Sequence, residues 1–480
     1  MTVDTQTVEF KKNTVFVLFG ASGDLAKKET FPALFGLFSE GVMDPSTKIF
    51  CYARSNLTVQ QLRDNCAQYC RPSTTGNDKA KMDQFFKMVT YVQGNYDTDV
   101  GFIKLRGEIE AFEKERGVTE PHRIFYLAIP PPIFLTVASH LKNNVYAENG
   151  ITRLIVEKPF GDDLETSREL QRGFKPLFKE EEIFKIDHFL GKDDLKRLLA
   201  VRFANPFLGA TWNKEYIEQI EVWFKEPFGA EGRGGYFDPV GIIRDVMQNH
   251  LLQILTIATM EEPVAYEAEA IRDAKVQLLK CMETLGPKNV VATGQYTNSL
   301  DGKLPSYLDD DTVLDKNSKC LTFTEITMDI KNERWAGVPI VMRAGKSLDE
   351  DRVEIRMKYK KNTHGMFPGV TPNMFVIQFH PERKIYMTFN TTAPGFVDNL
   401  HQVSLDMAYS KKYAKDWVPE AYERLIRDAF LGNRANYVRD DELDVSWAIF
   451  TPLLQYLEGP NAPAPEIYPY GSTGPKGILE

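Results

Sequence analysis

The chain has 480 residues, with 58 Lys and Arg against 67 Asp and Glu, giving a formal charge of −9 and a sequence pI near 5.5. That balance argues against a nucleic-acid or anionic-membrane binder acting through overall charge, since either carries a basic excess. Apolar residues at 43% and charged residues at 26% suit a globular chain, and 32 Gly with 27 Pro exclude a collagen-like or low-complexity composition.

In chain order, Thr14–Phe19 (TVFVLF) is a continuous apolar run ending on Gly20 and predicts a strand, and Pro32–Glu40 (PALFGLFSE) predicts a helix. Lys48–Ala53 (KIFCYA) is again strand-like. Arg123–Ile129 (RIFYLAI) runs into three prolines, and Thr152–Val156 (TRLIV) runs into Glu157-Lys158-Pro159. Strands buried on both faces and separated by helices predict a parallel sheet of βαβ units. The expected product is an α/β Rossmann-type doubly wound coenzyme domain over residues 10–187. Beyond Asp187 the period changes. A helix at Asp193–Phe203 is followed by alternating, strand-like segments at Gln219–Phe224, Leu321–Ile330, Val338–Arg343, Val353–Tyr359, Met374–Phe379 and Ile385–Asn390, with a long helix at Ile242–Met260 among them. This predicts an α+β domain with a large, mostly antiparallel sheet over residues 188–480. Asn298–Lys319 reads as a surface loop and Gly459–Pro475 as an irregular C-terminal segment.

Cys51, Cys66, Cys70, Cys281 and Cys320 are odd in number, thinly spread and without a CxxC pair, so neither a disulfide framework nor a zinc site is expected. The N-terminal MTVDTQTVEFKK is polar, and no apolar run approaches the ~18 residues of a membrane span. A cytoplasmic setting without nucleic-acid or membrane partners is the expectation.

Gly20-Ala21-Ser22-Gly23-Asp24-Leu25-Ala26 follows the first strand and leads into a helix, the context of a dinucleotide fingerprint. Small residues admit a pyrophosphate to the backbone, and the helix start offers free N–H groups. It is a GxxGxxA variant, which alone reads also as an ordinary strand-to-helix turn. An NAD enzyme usually ends its second strand with a carboxylate for the ribose hydroxyl; here KIFCYA ends in Arg54-Ser55, which favours NADP, with Lys27 or Lys28 as further phosphate contacts.

Three further segments carry chemistry. Asp187 and His188 close the run IFKI, and a helix starting near His188 places His188 and Lys192 at i and i+4, a pair suited to a phosphate. By itself such a pair is more often a solvated His beside a Lys. Within the long helix, Arg244–His250 offers a His whose ordinary pKa of about 6.5 suits proton transfer. A catalytic His wants a carboxylate to fix its tautomer. Asp245 lies five residues before His250, about 140° away on an α-helix, so Asp187 is the better candidate. Finally, Glu157-Lys158-Pro159-Phe160-Gly161 closes a strand where ligands bind in open α/β sheets; Pro159 admits a cis peptide, and Lys158 is placed to reach both cofactor and substrate.

Taken together, GASGDLAKK (Gly20–Lys28), YARS (Tyr52–Ser55), EKPFG (Glu157–Gly161), IDHFLGK (Ile186–Lys192), FKEPFGAEGRGGYFD (Phe224–Asp238), GIIRDVMQNHLLQ (Gly241–Gln253), RAGK (Arg343–Lys346) and the late VRDDEL and IFTPLL segments closely resemble the glucose-6-phosphate dehydrogenases, those of yeasts above all. The resemblance runs from about Thr14 to Pro475. It implies oxidation of glucose 6-phosphate at C1 to 6-phosphoglucono-1,5-lactone with NADP+, the entry to the oxidative pentose phosphate pathway, by a homodimer or homotetramer. It implies His250 as general base with Asp187 as its partner. Gly20 to Ala26, Lys27, Arg54 and Lys158 hold the cofactor; His188 and Lys192, joined by Lys346, hold the sugar phosphate, with Phe189, Leu190 and Gly191 also among the substrate-binding residues. Lys158, Glu226 and Asp245 contact sugar hydroxyls. No metal is expected, because the nicotinamide is the electron sink.

Some positions depart from the family pattern. Phe189 stands where a Tyr is usual, which predicts weaker substrate affinity, and His380 stands where a Gln near the substrate is common. Some animal members hold a second, structural NADP+; of its Arg positions Arg356 remains, while Gln378 and Thr473 replace the others, so that site is expected to be absent or weak. The competing readings are a Gfo/Idh-type sugar oxidoreductase, disfavoured by His188, Lys192 and Lys346, and a silent NADPH sensor, which would be expected to lose His250 or Asp187.

Overall fold

The computed structural model describes residues 10–74, 76–362, 366–367, 369–394, 399–408, 417–476 and 478; the polar residues 1–9 discussed above lie outside the described residues. Strands β1 (Val15–Phe19), β2 (Lys48–Ala53), β3 (Val89–Gln93), β4 (His122–Leu127), β5 (Ile151–Val156) and β6 (Ile183–Lys185) form an all-parallel sheet in the order β3-β2-β1-β4-β5-β6. This is the doubly wound order, with its switch point between β1 and β4. All five residues of β1 are buried, as a strand covered on both faces requires.

One face of this sheet packs on helices Asp99–Glu115 and Phe134–Asn144 through Phe102, Leu105, Phe134 and Val137. The opposite face is sealed partly from far downstream. Helix Ala421–Leu431 presents Leu425, Ile426, Ala429 and Phe430 to Phe16, Leu18 and Tyr126, and the Phe430 ring stacks on Phe16 at 5.7 Å. That helix ends at Gly432, whose φ of +76° is the left-handed C-terminal stop that glycine adopts without penalty.

The second sheet has nine strands: β7 (Ile217–Lys225), β8 (Val290–Thr297), β9 (Phe323–Met328), β10 (Ile340–Gly345), β11 (Arg352–Tyr359), β12 (Met374–His380), β13 (Lys384–Thr392), β14 (Leu400–Ala408) and β15 (Glu466–Pro469). Their order is β14-β13-β12-β11-β7-β10-β9-β8-β15, antiparallel except for β7 with β10 and β8 with β15. The α/β plus α+β expectation therefore holds. The segment Gly459–Pro475 does not stay irregular: residues 466–469 pair in parallel with β8, a tertiary contact that overrides the local Pro content. Asn298–Lys319 is mostly irregular, yet Tyr307 within it is fully buried and its hydroxyl donates to Asp238 at 2.8 Å.

The long helix over 241–259 forms as predicted, with one difference. Ile243–Leu251 is π-helical and only Leu252–Thr259 is α-helical. Residues five apart are brought to one face by i→i+5 bonding, so the 140° argument against Asp245 fails locally. Likewise no continuous helix joins His188 to Lys192. His188–Gly191 is a 3₁₀ turn, Lys192 is extended, and the helix starts at Asp193.

Candidate active site

The chemical groups gather because strand ends share an edge. Gly20 follows β1, Lys158 follows β5 and Asp187 follows β6, all at the C-terminal edge of the parallel sheet, where open α/β folds bind ligands. On the second sheet β7 and β10 run parallel with Lys225 opposite Gly345, so the next residues, Glu226 and Lys346, lie side by side. Their ion pair is 2.5 Å long. The 241–259 helix packs on these two strands and supplies Asp245 and His250.

A cleft of about 1010 Å3 runs between the two sheets, lined by Lys158, His188, Phe189, Lys192, Glu226, Asp245, His250 and Lys346 among others. His250 is buried, and its Nδ1 lies 2.5 Å from Asp187 Oδ1, which also accepts from the Phe189 N–H at 3.0 Å. A carboxylate accepts, so Nδ1 carries the proton and Nε2 is the free base. Nε2 faces Lys158 Nζ at 2.9 Å, and that ammonium also donates to the Asp245 carbonyl at 3.1 Å. The Lys158–Pro159 peptide is cis, as its sequence allows. Asp245 thus joins the site through Lys158 and Lys346, with Oδ2 at 3.5 Å from the Lys346 ammonium, while Asp187 partners His250.

Electrostatics separate the roles. Burial alone would raise Asp187, but His250, His188 and Lys158 outweigh it and hold the carboxyl at about 2. Burial lowers His250, and Lys158 lowers it further, against the opposing pull of Asp187. Burial, with the neighbouring His250 and Lys158 charges, pushes His188 well below the ordinary histidine value, so it enters the site as a neutral donor rather than the cation a His–Lys pair suggests. Burial also lowers Lys192, whose Nζ lies 4.3 Å over the Phe189 ring. Lys346 moves up, because Glu226 and Asp245 outweigh its desolvation.

Asp187, His188 and His250 present ligand-type atoms within 4.8 Å of one another, a spacing a metal ion accepts. Both His250 nitrogens are engaged, however, and the Lys158 ammonium 2.9 Å from Nε2 repels a cation. The cluster reads as proton-handling machinery.

At the cofactor end, Gly20 has φ of +80°, and a Cβ there would meet the Ala128 carbonyl oxygen at 1.9 Å, so only glycine closes this turn. Gly20 and Ala21 donate to Tyr52 O, and Gly23 donates to Gly20 O at 2.8 Å, which folds Ala21 and Ser22 over the helix start. Ala26 is buried beneath; Leu25 faces the cleft, Lys28 pairs with Asp24 at 2.8 Å, and Lys27 lies over Tyr69. Arg54 sits at the end of β2 over Tyr96, with Ser55 Oγ 3.3 Å from Ser22 Oγ. The residues fit a dinucleotide whose ribose carries a phosphate.

Leu190 and Gly191 do not line the cleft; both are buried in the turn. A Cβ on Gly191 would meet Ala421 O at 2.4 Å, so glycine lets the 421–431 helix approach. Sequence reasoning missed what that helix brings: Tyr422, whose ring lies parallel to His188 at 6.3 Å, and Arg424, whose Nε donates to Gly191 O at 3.2 Å. It also missed Arg383 and Asp351 in the cleft, the latter 2.9 Å from His380 Nδ1. No local pattern marks these, since single polar residues on amphipathic elements carry no signature.

A dinucleotide turn facing a buried His–Asp dyad across a ligand-sized cleft defines a nicotinamide-dependent oxidoreductase fold and site. Residues 17–196 match the family model "Glucose-6-phosphate dehydrogenase, NAD binding domain" and residues 199–480 match "Glucose-6-phosphate dehydrogenase, C-terminal domain". The chain belongs to the glucose-6-phosphate dehydrogenase family. It is 57% identical to the glucose-6-phosphate 1-dehydrogenase of Saccharomyces cerevisiae over 474 residues, 98% of this chain and 94% of that one. The Kluyveromyces lactis glucose-6-phosphate 1-dehydrogenase is 54% identical over 472 residues, 98% and 95% of the respective chains. A solved glucose-6-phosphate dehydrogenase in complex with its substrate glucose-6-phosphate, 54% identical, superposes with a TM-score of 0.94 over 98% of this chain and 96% of that one.

Proposed function

We propose that the chain oxidises glucose 6-phosphate at C1 to 6-phosphoglucono-1,5-lactone with NADP+ as oxidant, the first step of the oxidative pentose phosphate pathway. The observation that carries this is the His250 Nδ1–Asp187 contact at 2.5 Å, which leaves Nε2 as a base aimed at the cleft. Nε2 takes the C1 hydroxyl proton; the C1–O bond becomes a carbonyl as the C1 hydrogen departs with its electron pair. Bound NADP+ supplies the hydride acceptor. Asp187 stabilises the imidazolium that forms, as an ionised carboxylate at its side does in other dyads. Lys158, released from Nε2 by the incoming hydroxyl, bridges cofactor and sugar; Glu226 and Asp245 accept from sugar hydroxyls. His188, Lys192 and Lys346 hold the phosphate, with Phe189, Leu190 and Gly191 shaping the turn between them. Gly20, Ala21, Ser22, Gly23, Asp24, Leu25, Ala26, Lys27 and Lys158 hold NADP, and Arg54 selects its 2′-phosphate. The test is NADPH formation at 340 nm with glucose 6-phosphate against free glucose. Activity confined to free glucose, or none with either, contradicts the proposal.

Two ligand predictions follow from departures in the site. Phe189 lacks a phenolic donor, so Phe189→Tyr is expected to lower the KM for glucose 6-phosphate about tenfold, the worth of one charge-assisted hydrogen bond; an unchanged or higher KM from initial rates counts against it. Arg356 is held over Trp223 at 3.7 Å and paired with Glu354 and Glu221. With Gln378 and Thr473 at the other two positions, equilibrium dialysis is expected to find one tight NADP+ per subunit; two would refute this.

The domains divide as residues 10–187, binding NADP, and 188–480, binding substrate and a second copy. The apolar residues Val403, Leu405 and Met407 stand two apart on the edge strand β14 and are exposed, the kind of stripe that a homodimer or homotetramer covers. Five free cysteines and the lack, among the described residues, of any helix long and apolar enough to cross a membrane support a cytoplasmic setting.

A further inference from the structure

Asp187 uses only one oxygen. Oδ1 takes His250 and the Phe189 N–H, whereas Oδ2 is buried and has no hydrogen-bond partner among the described residues. One turn beyond His250, Gln253 is in the same condition: buried, with Oε1 unpartnered. Its amide orientation is fixed, because Nε2 donates to Glu442 Oε1 at 2.6 Å and a flipped amide would set two acceptors against each other. Glu442 in turn pairs with Lys275 at 2.8 Å, both about 1% exposed, which anchors the chain in the core between the 241–259 helix and helix Asp440–Leu457.

Asp187 and Gln253 both border a pocket of about 50 Å3 that adjoins the cleft through Lys158, Tyr236 and Asp245, together with Gln248 and Ser446. Gln248 Nε2 gives one N–H to Ser446 Oγ at 3.1 Å, and that hydroxyl donates to Leu443 O. Two buried acceptors on one largely apolar cavity call for a double donor, and the space of about 50 Å3 exceeds the ~10–15 Å3 one water needs. An unmet buried acceptor is costly, more so when charged, which selects a molecule that meets both.

We propose that Gln253 is a positioning residue for the reaction: through one buried water it holds Asp187 Oδ2, and the Glu442–Lys275 ion pair fixes Gln253 in turn. The inference rests on the base role given to His250 and deepens it. Oδ1 meets His250 in line only while the carboxylate does not rotate; the Phe189 N–H holds it at Oδ1 and the Gln253 arm holds it at Oδ2.

The experiment compares wild type with Gln253→Met, which keeps length and volume but removes both hydrogen bonds. The expected result is a fall of about tenfold in kcat and in kcat/KM alike, with the KM for each substrate within twofold, the pattern of a lost transition-state interaction. The acid limb of kcat should move to higher pH, because a carboxylate with one donor fewer holds the imidazolium more tightly. A loss of thermal stability with the kcat profile unmoved would assign Gln253 a packing role only and overturn the proposal, as would an unchanged kcat. Independently of that variant, a crystal structure of the wild-type protein at high resolution should show one water within hydrogen-bond reach of both Asp187 Oδ2 and Gln253 Oε1; its absence overturns the proposal. Wild-type activity on glucose 6-phosphate with a normal Gln253→Met sinks this inference alone, whereas an inactive wild type sinks the function itself.

Discussion

His250→Asn is expected to lower kcat about 10,000-fold, the upper end of what a positioned general base contributes. The upper end applies because Nε2 is the one unprotonated nitrogen the dyad directs at the cleft and Asp187 is buried behind it, while the Glu226 and Asp245 carboxylates in the cleft are committed to Lys346. The phosphate contacts of His188, Lys192 and Lys346 remain, so the KM for glucose 6-phosphate should stay within a few-fold. Initial rates at saturating substrate measure this, and a loss below tenfold would remove His250 from the chemistry.

Asp187→Asn is expected to cost about 1,000-fold in kcat, within the range for losing the group that fixes a catalytic imidazole. An amide keeps the shape but not the charge, and it can present N–H to Nδ1, turning the ring to the wrong tautomer. The pH profile supplies a second reading. His250 works as the neutral base, so activity is present above its folded pKa and is lost as pH falls through it. Burial and Lys158 put that pKa below the ordinary 6.5 while Asp187 pulls it up. Removing Asp187 removes the upward pull, so the acid limb should move to still lower pH as the plateau falls. A limb that moves upward contradicts the dyad. Combined with His250→Asn, the loss should be no greater than that of the worse single change, since both act through one ring.

The parts of this site legible in the sequence are those whose chemistry is local. Gly20 to Ala26 follow directly on an apolar strand, so turn, helix start and phosphate affinity are all read from one stretch. The Asp187–His250 pairing was legible by chemistry, because a catalytic His wants a carboxylate and Asp187 closes an apolar run at the ligand-binding edge of the sheet. What failed was the assumption of regular geometry. A period of 3.6 misplaced Asp245, since the 243–251 segment is π-helical, and an assumed helix from His188 overlooked the 3₁₀ turn. Neither deviation has a composition signal; both are set by packing against β7, β10 and helix Ala421–Leu431. Tyr422 was invisible as a site residue for a related reason: it matters through a ring contact with His188, which is distant in the chain. Strand β15 was hidden because its pairing with β8, not its own Pro-rich sequence, makes it a strand.

In the proposed reaction hydrogen leaves C1 of glucose 6-phosphate as hydride while His250 takes the hydroxyl proton. Glucose 6-phosphate deuterated at C1, incubated with the protein and NADP+, tests it most directly by mass spectrometry of both products. One deuterium is expected in NADPH and none in the lactone. Deuterium retained in the sugar product, or released to water, would contradict it.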